Sequence, residues 1–184
     1  MLRELVNEHY RYYQGATLKT PEPGDGFITF LFSMASDGAC RYTVNERRQH
    51  IEELATALDE GSEDFARLAT TGVGVCNVRL ALLAMTLPTP LLPWKELPEP
   101  PHQREYADEQ LRQQLAALSE DARVDLFNLA RFPKSNIVSC GRILEALRDR
   151  YFPGTKFDDV LTGMSGTRAH WIVTHFTEGP IAHE

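Results

Sequence analysis

Pro88-Thr89-Pro90-Leu91-Leu92-Pro93-Trp94-Lys95-Glu96-Leu97-Pro98-Glu99-Pro100-Pro101 holds six of the chain's eleven prolines. Proline lacks a backbone donor and drives the residue before it out of the α region, so no helix or central strand runs through this stretch. It divides the chain into a block at 1–87, an extended connector at 88–101 and a block at 102–184. Leu91, Leu92, Trp94 and Leu97 make the connector too apolar to sit in water. They either tuck into a core shared by both blocks or offer a partner groove an extended ligand, with Trp94 as its anchor.

Upstream of the connector, Phe27 to Met34 is rich in aromatic and β-branched residues. Ala35-Ser36-Asp37-Gly38 carries turn chemistry, and Cys40-Arg41-Tyr42-Thr43-Val44 alternates. Together they read as a β-hairpin. Its first strand is apolar on both faces, so it calls for cover on both sides. A helix is expected before it over residues 2–13. After it, Asn45 is placed to cap a helix that turns Ile51, Leu54, Ala55 and Leu58 inward and stops at Gly61. Ser62 is placed to cap a short helix that carries Phe65. Residues 75–87 are apolar nearly all round and read as a central buried helix.

Beyond the connector the pattern is helical. Tyr106, Leu111, Leu115 and Leu118 mark one helix. Ser119-Glu120-Asp121 opens a second, and a third runs from Ser135 or Asn136 to Tyr151, ended by Pro153-Gly154. Thr155 is placed to cap a short helix through Leu161. Residues 168–176 favour strand by propensity, while neighbouring helices can impose helix. The expected fold is α+β and mainly α, with helical blocks packed around one hairpin.

The 184 residues are enough for one domain with a real core, burying about 70% of the unfolded surface. The net charge of −7 is shared between the blocks, which argues against general affinity for nucleic-acid backbones. The one local excess is Glu52, Glu53, Asp59, Glu60, Glu63 and Asp64, a run with no Lys or Arg inside it. Such a run is a solvated helix face or a patch that meets a basic protein. The longest apolar run, Leu80 to Leu87, is far short of a membrane span, and the first five residues lack the apolar stretch of a signal peptide. A cytoplasmic protein is expected.

Cys40, Cys76 and Cys140 are far apart and odd in number, so neither a disulfide framework nor a structural zinc is expected. Cys76 follows Gly72-Val73-Gly74-Val75 and opens the expected buried helix, where a helix N-terminus lowers a thiol pKa. Paired with His170 as base, and with Asn136, Asp158 or Asp159 to orient that base, it makes a candidate nucleophile for a cysteine hydrolase or transferase. The competing reading is a small buried core residue. Gly72-Val73-Gly74 lacks the third glycine and the Lys-Ser/Thr pair of a phosphate loop. No cofactor or metal is expected. The reading that fits best is a non-enzymatic protein (an inhibitor, immunity factor or adaptor) that binds a basic partner through its acidic face.

Overall fold

The computed structural model describes Phe27 and residues 30–31, 33–35, 43–61, 64–66, 72–95, 101–162 and 167–178. Its elements run in the order α1 (Val44–Glu60), β1 (Gly72–Val73), β2 (Val78–Arg79), α2 (Leu80–Thr86), α3 (Pro101–Ala116), α4 (Glu120–Arg131), α5 (Pro133–Tyr151), α6 (Phe157–Thr162) and α7 (Thr167–Glu178). The fold is mainly α with one two-stranded antiparallel hairpin, as expected for the class.

The hairpin is not where β propensity places it. Phe27, Phe30, Leu31, Ser33, Met34 and Ala35 are helical. Phe27, Leu31, Met34 and Ala35 are all buried, and their spacing of i, i+4, i+7 and i+8 traces one helical face. Strand propensity is a weak preference that packing overrides. Here the Phe27 ring meets Phe157 edge-on, with centroids 4.6 Å apart. Residues 40–42 lie outside the described residues, and Val44 is already helical.

The observed hairpin pairs Gly72 with Arg79 and Val73 with Val78, joined by Gly74-Val75-Cys76-Asn77. Gly74 (φ +75°) and Asn77 (φ +53°) take left-handed backbone, which glycine and asparagine tolerate best. The expected helix over 75–87 therefore shortens to α2, whose Leu80, Ala81, Leu82, Leu83, Ala84 and Met85 are all buried. An unbroken apolar run reads alike for a buried helix and for a hairpin leading into one, and only the backbone separates them.

Helix ends follow local chemistry. α1 begins at a capping box: Thr43 Oγ1 accepts from the Glu46 N–H, and the Glu46 carboxylate accepts from the Thr43 N–H at 2.7 Å. Thr43 thus takes the cap expected of Asn45. Ser119 caps α4 as expected, accepting from the Ala122 N–H. α3 and α5 start earlier than expected, at Pro101 and Pro133. A proline in the first helical position loses nothing by lacking its N–H. The tail is helical: Ala169, Ile172, Val173 and Phe176 keep a 3.6-residue period and face the core as α7.

α5 is the axis. It packs against α4, α7, α2 and β2, and α1 lies across α4 and β1. Gly141, in the middle of α5, faces Phe27 and Leu31. Buried side chains from both sides of the connector, among them Leu54, Leu83, Leu92, Leu126 and Ile143, form one core. Each such leucine or isoleucine contributes about 1.5–3 kcal/mol by burial. The connector folds back onto α2, where the Leu91 N–H donates to the Ala84 carbonyl at 2.9 Å.

Candidate functional site

Three places bring chemistry-bearing residues together. The first is the outer side of α1. Leu54 and Ala57 are buried on its inner side, and Glu52, Glu53 and Asp59 are exposed on the other. Asp64 is exposed just beyond Gly61. Glu60 closes α1, and Glu63 lies outside the described residues. Arg48 Nε lies 2.7 Å from Glu52 Oε1, and Gln49 Nε2 donates to Glu53 Oε1 at 2.9 Å. Exposed i, i+4 pairs of this kind contribute little to stability, and the ion pair is screened by salt. They orient the carboxylates and leave the face acidic.

The second place is an aromatic wall. Trp94, half-buried on the connector, meets Tyr151 at the end of α5, with centroids 6.4 Å apart. Tyr151 in turn meets Trp171 at 5.9 Å and His175 at 4.5 Å on α7. The Arg150 guanidinium lies 5.1 Å above the Trp94 ring, a cation–π contact. Trp94 Nε1 is buried with no hydrogen-bond partner among the described residues. Trp94 thus packs into the wall and links the connector to α5.

The third place is the hairpin turn. Cys76 lies in that turn, with Leu80 as the first residue of the following helix, so the helix N-terminus that would activate its thiol is not at Cys76. Cys76 is 1% exposed. Its backbone N–H donates to Asn136 Oδ1 at 2.8 Å, while Asn136 Nδ2 donates to the Val73 and Ala130 carbonyls, each at 2.8 Å. Asn136 is fully buried. Of the candidate orienting groups, the structure thus brings Asn136 to Cys76, as a clasp on the backbone. His170 is exposed on α7, whereas His175 is buried, its Nδ1 at 2.6 Å from the Trp171 carbonyl. Asp159 is exposed and Asp158 half-buried near the start of α6. This arrangement supplies a sealed thiol and a solvent-facing imidazole.

The chain matches no family model, no curated protein and no solved structure. Among the described residues, no group of three or more His, Cys, Asp or Glu stands together to hold a metal ion. No helix among them is long and apolar enough to cross a membrane.

Cys140 was hidden as a site residue by its distance in sequence from Cys76. The usable signal was its place four residues after Asn136 on α5, which stacks the two on one helical face. Burial, and after it the neighbouring Cys76 thiol, hold the Cys140 pKa well above the ordinary thiol range.

Proposed function

We propose that this protein works by binding a basic protein partner through the acidic face of α1, as an inhibitor, immunity factor or adaptor, and not by catalysis. The observation that carries this reading is the exposure of Glu52, Glu53 and Asp59 along a helix whose other side is buried. A rigid helix presents charge at fixed spacing, so it discriminates partners and speeds encounter more than it adds affinity. Cytoplasmic residence is part of this proposal, since three widely spaced cysteines suit a reducing compartment.

The test is a triple variant, Glu52→Lys with Glu53→Lys and Asp59→Lys. The tagged wild-type chain should retain a basic protein from its source lysate at low salt and release it as salt rises. The triple variant should bind that purified protein roughly tenfold or more weakly, with an unchanged thermal midpoint. Equal affinity of the two forms at low salt would sink the proposal.

A further inference from the structure

Cys76 and Cys140 are 64 positions apart in the chain and come from different elements, the hairpin turn and the middle of α5. Two separate contacts bring them together. The Cys76 N–H is held at 2.8 Å by Asn136, one helical turn before Cys140 on the same face of α5. The Cys140 thiol also lies close enough to that of Cys76 for the two to interact. Both are free and buried.

We propose that Cys76 and Cys140 are a reversible oxidation site, closing an intramolecular disulfide when a low-molecular-weight disulfide or diazene oxidant reaches the hairpin turn. Both thiols lie in the same buried joint between the turn and α5. Access comes from the turn, which is joined by strands of only two residues each and is the kind of short local unit that opens below the global unfolding energy. Cys76, carried on the turn, meets the oxidant first. Its thiolate attacks one sulfur of the small disulfide, forms a mixed disulfide and expels one small thiolate. Cys140, kept protonated by burial and by its neighbour, gives up its proton as the turn opens, and its thiolate attacks the Cys76 sulfur. The second small thiolate then leaves. Two protein thiols lose two electrons and two protons, and the small disulfide becomes two thiols. The new bond closes a long loop carrying α2, α3 and α4, the arrangement in which a cross-link restricts the unfolded chain most.

The experiment treats the native full chain with diamide, a diazene that accepts two electrons and two protons, then blocks free thiols with N-ethylmaleimide and digests without reduction. The Cys76 peptide should appear linked to the Cys140 peptide, with the monomer lighter by two hydrogens. Cys40, which lies outside the described residues, should be recovered alkylated. Dithiothreitol should restore both thiols, and the oxidised form should melt at a higher temperature than the reduced one. A Cys40→Ser variant should oxidise identically. Recovery of Cys76 and Cys140 as free or alkylated thiols would overturn the proposal, as would a product in which either is linked mainly to Cys40. The outcome does not depend on the acidic face of α1.

Discussion

Replacing Asn136 with Ala should cost this fold more than any single apolar truncation at the surface, and the structure says why. One fully buried amide makes three bonds of 2.8 Å: it donates to the carbonyls of Val73 and Ala130 and accepts from the Cys76 N–H. Ala130 lies next to the last residue of α4, so its carbonyl is one of those a helix end leaves without a partner. Removing the amide strips this partner from three backbone groups in a site closed to water. A buried group left unpaired costs about 1–3 kcal/mol, and partial relaxation brings the sum to about 4 kcal/mol. That is a large share of the roughly 5–15 kcal/mol that holds a domain folded.

Urea denaturation followed by far-ultraviolet circular dichroism reads this directly. With a slope of about 2 kcal/mol per molar urea, the midpoint of Asn136→Ala should fall by roughly 2 M at unchanged slope. Asn136→Asp keeps the acceptor for the Cys76 N–H but turns a carboxylate toward two carbonyl oxygens. Burial and those oxygens raise its folded pKa above the unfolded value of about 3.9. Its stability is therefore fully present below that value and lost as pH rises through the raised one, so the variant should lose ground to wild type steadily from acid toward neutral pH. A midpoint for Asn136→Ala within about 0.5 M of wild type, at the same slope, would show that the clasp holds nothing.

Two glycines should respond in opposite directions to the same substitution. Gly74→Ala puts a Cβ on a backbone at φ +75° and into both the Asn136 side chain and the Ala130 carbonyl, so it should destabilise by about 2 kcal/mol or more. Gly141→Ala sits mid-helix with Phe27 and Leu31 carbons at 3.6–3.7 Å, ordinary contact distance, and should stabilise by about 0.5–1 kcal/mol; thermal melts of both variants check the pair. At the start of α1, hydrogen bonds from the Thr43 backbone and hydroxyl lower the Glu46 pKa. That contribution is present above the ordinary glutamate range and fades as pH falls through the lowered value. Thr43→Ala should cost about 1 kcal/mol at neutral pH, and the gap to wild type should shrink in acid.

Where local chemistry fixes the backbone, the sequence was readable. Gly61 ends α1, Ser119 caps α4, and Pro153-Gly154 follows the end of α5, because caps and breakers act within a few residues. Residues 27–35 were not readable by propensity, since aromatic and β-branched content spoke for strand. Their burial at 27, 31, 34 and 35 shows that the helical period was present and needed only to be weighed above composition. Two-residue strands fall below what a pattern can register, and Gly72-Val73 merged with the apolar run after it. The acid run could be read as exposed, and Glu52, Glu53, Asp59 and Asp64 are. The clasp could not: Asn136 and Cys76 are 60 residues apart, and a polar residue inside an apolar helical stretch says nothing of what it will hold.

The clasp also joins what the sequence treats as separate subjects. α1, which bears the acidic face, rests on β1 and α4. Asn136 bonds to one carbonyl in each, Val73 in β1 and Ala130 in α4. One amide on α5 therefore fixes both supports of α1 relative to the central helix. Cys76 and Cys140 flank that amide, the first bonded to it and the second one helical turn away. A disulfide between them would act on the same joint, tying the turn after β1 covalently to α5. The proposed partner face and the proposed oxidation site are thus joined through a few residues, running from Cys140 through Asn136 and β1 to the base of α1. An acidic surface whose charges must keep their spacing would gain from a stiff footing, and among the described residues that footing holds the three buried bonds of Asn136 together with Cys76 and Cys140.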